Sequence, residues 1–407
     1  MDSDRRQTRI DLRQRVEAAI EQRVTDDLVR QRRTVSHCRD ARVDCGGQRL
    51  LDFAGNDYLG LAHHPAMVSA MQVAALNCGI GAGASHMVSG HHREHDALER
   101  AIAQWLGYPR ALLFGAGYLA NLAVMQSLLQ AGDVCLQDKL DHASLIDGAR
   151  LSQAKLVRYP HGDAAAAQRQ AQAHPYGALL LATDGVFSMD GDVAPLVELA
   201  TLADEQQGLL YVDEAHAIGV LGPEGRGSVA AAGLAPERAP LLLVTLGKAL
   251  GAAGAVLVGQ DWIIEHIMQT ARAYIYTTAM PPALAVAALT AVKLAREQSW
   301  RREKLAGLIA HFRARAQALG LPLLDSQTPI QPVPVGDNAR AVRVAQQLRE
   351  RGFMVGAIRP PSVPPGGARL RISLNAAHDE RDIDALFDVL APLLPAITAR
   401  GDDAMGA

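Results

Sequence analysis

Lys248 stands out for its surroundings. The run Thr245-Leu-Gly-Lys248-Ala-Leu-Gly251 places it at a glycine-rich turn between two apolar segments, Leu241–Thr245 and Ala255–Val258. An ammonium held there is poorly hydrated, and desolvation disfavours its charged form. A neutral amine can attack an aldehyde and form a Schiff base. A loop lysine that carries its charge out to water is the competing reading. The turn is no P-loop, because Ala249 stands where Ser or Thr is required and the five-spaced glycine is missing.

Four further clusters share a position at the end of an apolar run. Leu209-Leu-Tyr-Val-Asp213-Glu-Ala-His216 ends in an acid, with a histidine three residues on. The carboxyl ends of strands in an open α/β sheet point into the binding crevice. An Asp213 that faces a ring nitrogen and a Lys248 that holds an aldehyde form the pyridoxal phosphate arrangement. An Asp213 that merely caps the next helix is the plainer alternative. Phe114-Gly-Ala-Gly117-Tyr118-Leu-Ala-Asn121 reads as strand, glycine turn and helix, whose free N–H groups and dipole make a phosphate seat. His142 opens a helix after the run Val134–Gln137, and Thr183–Asp192 sets polar groups at the end of another strand.

These positions need a scaffold, and the rest of the chain spells one out. Short apolar runs at 111–114, 134–137, 178–182, 209–212, 241–245 and 255–258 alternate with helical periodicity at 97–106, 119–129, 195–205 and 262–271. The alternation predicts an α/β fold with a largely parallel sheet and helices on both faces. Residues 8–33 predict an amphipathic helix lying on something else, with Ile10, Val16, Ile20, Val24 and Leu28 on its apolar side. Short strands follow at 41–43 and 49–53. After Pro281-Pro282 come two long helices (about 283–298 and 300–318), strands near 330–335, 354–357 and 370–374, and a helix from Glu380. The division expected is an N-terminal helical arm over 1–50, a large domain over 51–285 and an α+β domain over 286–407.

Composition narrows the classes. Lys and Arg number 40 against 43 Asp and Glu, a net charge of -3, so neither nucleic acid nor an anionic membrane is implied as a partner. Aromatics are 4%, too few for base-stacking platforms. Cys38, Cys45, Cys78 and Cys135 form no C-x-x-C pair, which speaks against structural zinc and a disulfide framework. The chain opens Met-Asp-Ser-Asp-Arg-Arg with no apolar stretch behind it, so a cytoplasmic protein with reduced thiols is expected.

The segments Asn56-Asp-Tyr-Leu-Gly-Leu61, Asp184-Gly-Val-Phe-Ser-Met-Asp-Gly-Asp192, Val212-Asp-Glu-Ala-His216, Thr245-Leu-Gly-Lys248 and Tyr276-Thr-Thr-Ala-Met-Pro-Pro282 resemble, in order, the α-oxoamine synthases. These are pyridoxal 5'-phosphate enzymes of fold type I that condense an amino acid with an acyl thioester and release CO2. Ile330–Asn338, Ala357–Pro364 and Ala368–Arg371 are most similar to members that join L-alanine to a pimeloyl thioester in biotin synthesis, giving 8-amino-7-oxononanoate. The donor there is carried on an acyl carrier protein or coenzyme A. A sibling using glycine and an acetyl thioester is the near alternative.

The resemblance implies a large domain with a mostly parallel seven-stranded sheet, a small α+β domain and a homodimer with shared sites. It also implies roles. Lys248 holds the cofactor, Asp213 pairs with the ring nitrogen, His216 bonds the ring oxygen and His142 stacks on the ring. Gly117, Tyr118 and Thr245 serve the phosphate, Ser188 the ring-oxygen side, and Thr277 and Thr278 the phosphate of a neighbouring subunit. Arg371 clamps the amino acid carboxylate, for which a guanidinium fork is well shaped. Asn56, Arg30 and Ser362 contact substrate or product. Asp184 stands where the family's acid is one carbon longer, and Ser362 where Thr is usual.

One rival comes from a different class. His91-His-Arg-Glu94-His95 fits the H-x-x-E-H pattern of a zinc hydrolase. That chemistry needs both histidines on one helix face, yet the helix is expected to begin only near Glu94. No metal is expected.

Overall fold

The computed structural model describes residues 9–36 and 39–394; Cys38 and the two chain ends lie outside that span. Seven strands form the central sheet: β1 (Arg110–Phe114), β2 (Val134–Asp138), β3 (Lys155–Tyr159), β4 (Leu179–Asp184), β5 (Leu209–Asp213), β6 (Leu241–Thr245) and β7 (Ala255–Gly259). Their spatial order is β1-β7-β6-β5-β4-β2-β3, and only β7 runs antiparallel to its neighbours. Most residues of β2, β4, β5, β6 and β7 are buried, as expected of strands covered on both faces. This is the expected α/β architecture.

The covering helices follow from local sequence. The helix Arg93–Leu106 buries Leu98, Ile102, Trp105 and Leu106 on one stripe and stops at Gly107, which adopts φ 81°. The helices Gly117–Leu128 and Ala143–Leu151 lie against each other beside the sheet. Gly148 makes that closeness feasible, because a Cβ there would fall 2.7 Å from Met125 Cγ and 3.1 Å from the Asn121 carbonyl oxygen.

Two smaller sheets complete the fold. The hairpin Arg42–Cys45 and Gln48–Asp52 turns on Gly46 and Gly47, both at positive φ. Its second strand pairs in parallel with Phe353–Met354, so segments far apart in the chain share a sheet. Ile330–Gly336, Ala368–Ser373 and Gly356–Ile358 form the other sheet. The single strand expected over 354–357 is therefore two short ones. Met354 pairs with Asp52, whereas Gly356 pairs with Arg371 in a different sheet.

The N-terminal helix also departs from expectation. It spans Leu12–Thr25 and stops where Asp27 takes φ 55°. None of its residues is buried, and Val16, Ile20 and Val24 stay exposed because nothing among the described residues covers them. The helix Pro282–Glu297, which a division at residue 285 would cut, packs on the helices Pro65–Cys78 and Arg93–Leu106. No helix among the described residues is long and apolar enough to cross a membrane.

The tight helix pair supplies a test. Gly148→Val forces a branched side chain into Met125, and overpacking of this kind costs about 1–3 kcal/mol. Urea unfolding should show a lowered midpoint; an unchanged one would mean that the two helices do not approach as described.

Candidate active site

Asp184 and Asp213 end adjacent parallel strands, and Thr245 ends the next one, so three polar side chains meet at one edge of the sheet. Lys248 lies on the turn that follows. Leu246, Ala249 and Leu250 of this turn are fully buried. Gly251, at φ +61°, lets the turn dock on Leu61 and Ala62, since a Cβ there would sit 2.3 Å from the Ala62 nitrogen. The packing leaves the lysine little water. Its Nζ lies 2.9 Å from His216 Nε2, and His216 Nδ1 lies 2.7 Å from the Tyr58 hydroxyl. Burial lowers the Lys248 amine below its ordinary range; Asp213 and Asp184 oppose the shift and Arg371 reinforces it. Burial, helped by Lys248 and Arg371, pushes His216 well below the usual imidazole value.

Asp213 is held from two sides. Its Oδ2 accepts from Asn121 Nδ2 at 2.8 Å and its Oδ1 from the Ala215 amide at 3.0 Å. No basic side chain among the described residues forms an ion pair with it, although it is buried. An acceptor kept this way suits a proton-bearing ring nitrogen. The helix Gly117–Leu128 has Ala116 as its N-cap, with no side chain to bond the first amides. A Cβ on Gly117 would lie 3.0 Å from Thr245 Cγ2, so this helix start and the end of β6 converge. Those free amides suit a phosphate. An anion seat, an acceptor carboxylate and a desolvated amine together fit pyridoxal phosphate.

The other expected residues divide into two groups. Arg371, from the strand Ala368–Ser373, donates to the Ser188 carbonyl at 2.6 Å, to Asn56 Oδ1 at 3.2 Å and to the Tyr58 hydroxyl at 3.3 Å. His142 caps the helix Ala143–Leu151, and its backbone amide donates to Asp184 Oδ2 at 3.0 Å. Tyr118 donates to Asp147 and sets its ring edge-on to His142 at 6.4 Å. Thr245 Oγ1 donates to the Ala215 carbonyl at 3.2 Å. These residues surround Lys248, Asp213 and His216. Arg30 and Ser362 stand apart from them, both exposed. Arg359 links their segments, donating to the Asp27 and Val29 carbonyls while its own carbonyl accepts from the Ser362 amide. Thr277 and Thr278 occupy a segment that bridges to Ser85, with no hydrogen bond to the Lys248 group.

Sequence reasoning assigned no role to Tyr58, Asn121, Ser144 or Asp184. Asn121 had a signal, as a polar residue among Ala120, Ala123 and Val124 on a buried helix face. Tyr58 lies within the segment Asn56–Leu61, whose sequence shows no partner for its hydroxyl. The H-x-x-E-H reading meets a different arrangement. The helix starts at Arg93, which leaves His91 outside it, and Glu94 pairs with Arg93. Nitrogens of His86, His91 and His95 cluster within 4.8 Å, but both of His95 are taken, by the His92 amide and the Met280 carbonyl.

His161 braces the loop that carries Ser188. It lies 3.0 Å from Asp138 and 2.9 Å from Asp192. Burial alone would lower its pKa, but hydrogen bonds to the two carboxylates raise it from 6.5 to about 10. The stabilisation is therefore complete below 6.5 and lost as pH rises through about 10. His161→Gln should be least stable relative to the parent below pH 6.5, with the gap in melting temperature closing toward pH 10. A gap that widened with pH would reverse the assignment.

The family model for aminotransferase class I and II matches residues 48–390. An 8-amino-7-oxononanoate synthase of Stenotrophomonas maltophilia is 56% identical over 384 residues, covering 94% of both chains. A serine palmitoyltransferase of S. paucimobilis, solved with a bound PLP–myriocin aldimine, superposes with a TM-score of 0.90 at 27% identity, covering 94% of this chain and 98% of that one. The 8-amino-7-oxononanoate synthase of Francisella tularensis gives 0.75 at 32% identity, over 84% of this chain and 97% of that one. With the motifs and the site in the same order along the chain, the protein belongs to the class I and II aminotransferase family and, within it, to the α-oxoamine synthases.

Proposed function

We propose that this enzyme condenses L-alanine with a pimeloyl thioester to give 8-amino-7-oxononanoate, CO2 and the free thiol, using pyridoxal 5'-phosphate held at Lys248. The observation that carries the reading is the desolvated, half-buried Lys248 amine beside His216 and Asp213, in a chain 56% identical to a synthase of that name. What the cofactor supplies when bound is an aldehyde that takes up an amine and an electron-poor ring that draws charge from the adjoining carbon.

The chain's own residues do the rest. Lys248 Nζ is the attachment point and, once released, the base for the α-proton of alanine, a task suited to its lowered pKa. Asp213 keeps the ring nitrogen protonated, and His216 serves the ring oxygen. His142 would hold the ring by one face, and Ser188 would serve its oxygen-bearing side. The amides of Gly117 and Tyr118, with Thr245, hold the phosphate. Arg371 receives the alanine carboxylate; Asn56 and Tyr58 keep its fork in place. In the overall reaction the α-carbon bonds to the acyl carbon, the thiol leaves, and the former alanine carboxylate departs as CO2.

Arg30 and Ser362 border the acyl side, linked through Arg359. A homodimer would bring Thr277 and Thr278 to the neighbouring site. Exposed Leu76, Ile80 and Val88, at 88%, 87% and 80%, lie close in sequence to Ser85 and support such an interface.

Lys248→Ala should lose the visible absorbance of the lysine-bound cofactor and essentially all turnover; an unchanged spectrum would defeat the assignment of Lys248. Incubation of the parent with alanine or glycine and a panel of thioesters, read by mass spectrometry, should give 8-amino-7-oxononanoate from alanine and a pimeloyl donor. Preference for glycine with acetyl-CoA would replace this function with that of the sibling enzyme.

A further inference from the structure

Behind Asp213 and His142 lies a buried hydrogen-bond chain. The Tyr211 hydroxyl donates to Asn121 Oδ1. Asn121 Nδ2 donates to Asp213 Oδ2 and to Ser144 Oγ, each at 2.8 Å. Ser144 Oγ lies 2.7 Å from His142 Nδ1, and the Ser144 amide also reaches that nitrogen at 3.3 Å. Asn121, Ser144 and Tyr211 are all but fully buried, whereas the His142 end of the chain is exposed.

The proton positions then follow from donor and acceptor counts. A carboxylate only accepts, so the amide of Asn121 must turn its nitrogen to Asp213. That leaves Asn121 Oδ1 for Tyr211. The second Nδ2 proton goes to Ser144 Oγ, which frees the serine's own proton for His142 Nδ1. With Nδ1 accepting, a neutral His142 carries its proton on Nε2. Burial lowers His142 below the ordinary imidazole value; Asp213 and Asp147 favour its charge and Lys248 opposes it. Nε2 has no hydrogen-bond partner in the chain among the described residues.

We propose that Asn121 and Ser144 are positioning residues: they orient the Asp213 carboxylate and fix His142 as the tautomer protonated on Nε2. The imidazole then presents a hydrogen-bond donor to an oxygen of the bound substrates and is unfit as a base, which leaves proton abstraction to Lys248. The inference rests on the function proposed above for this site. Asn121 thereby couples the two sides of the cofactor position, since a single amide serves both the acid and the imidazole.

The test is solid-state 15N NMR of histidine-labelled holoenzyme, with His142 isolated by subtracting the spectrum of His142→Gln. The parent should show an unprotonated Nδ1 and a protonated Nε2. In Asn121→Asp the Ser144 proton is drawn to the new carboxylate, so His142 should shift its proton to Nδ1. Ser144→Ala should populate both tautomers. In both variants kcat should fall by about a hundredfold, the scale of losing one positioned donor, with the KM for alanine little changed. A parent spectrum with the proton on Nδ1 overturns the proposal by itself, whether or not the variants fold. Variants that keep the parent's tautomer overturn it as well. The tautomer is read without a thioester, so its failure is distinct from a failure of the alanine and pimeloyl assignment.

Discussion

The removal of one amine from water organises this molecule. Lys248 follows β6 on a turn whose Leu246, Ala249 and Leu250 are fully buried and whose Gly251 lies against Leu61 and Ala62. That docking desolvates the amine and brings in the segment that carries Asn56 and Tyr58. Tyr58 then touches both His216 and Arg371, which joins the lysine to the guanidinium through two side chains. The central domain and the C-terminal strand Ala368–Ser373 meet across this contact. Packing and chemistry are inseparable here, because the close approach that buries the turn also lowers the basicity of its lysine.

Buried acids balance the arrangement. Burial raises Asp184 and Asp141 well above the usual carboxylate range, and neighbouring carboxylates add to the effect. Backbone amides offset part of the strain: Asp184 accepts from His142, and Asp141 accepts from Asp138 and Asp184. Asp184 thus ties the start of the His142 helix to the strand next to Asp213. Its side chain reaches the His142 amide at 3.0 Å. The loop beyond it is braced by His161 and, at Asp190, by Arg369. Ser188, just before these two braces, offers its carbonyl to Arg371.

The amino-acid order alone determined the alternation of strands and helices, and with it the placing of Asp184, Asp213 and Thr245 at strand ends. These are local properties: short apolar runs, helical periodicity and glycine turns are written in neighbouring residues. The motifs around Lys248, Asp213, His216 and His142 were equally legible. Tertiary structure decided which polar side chains meet. The bonds of Asn121 to Asp213 and of Arg371 to Asn56 join residues far apart in the chain, and a contact between distant segments leaves no periodic trace in either. It also decided that the residues around 354–357 serve two sheets, that the N-terminal helix is left uncovered among the described residues, and that His91 stands outside the helix bearing His95. Each depends on what packs against the segment, and the segment's own sequence does not encode that.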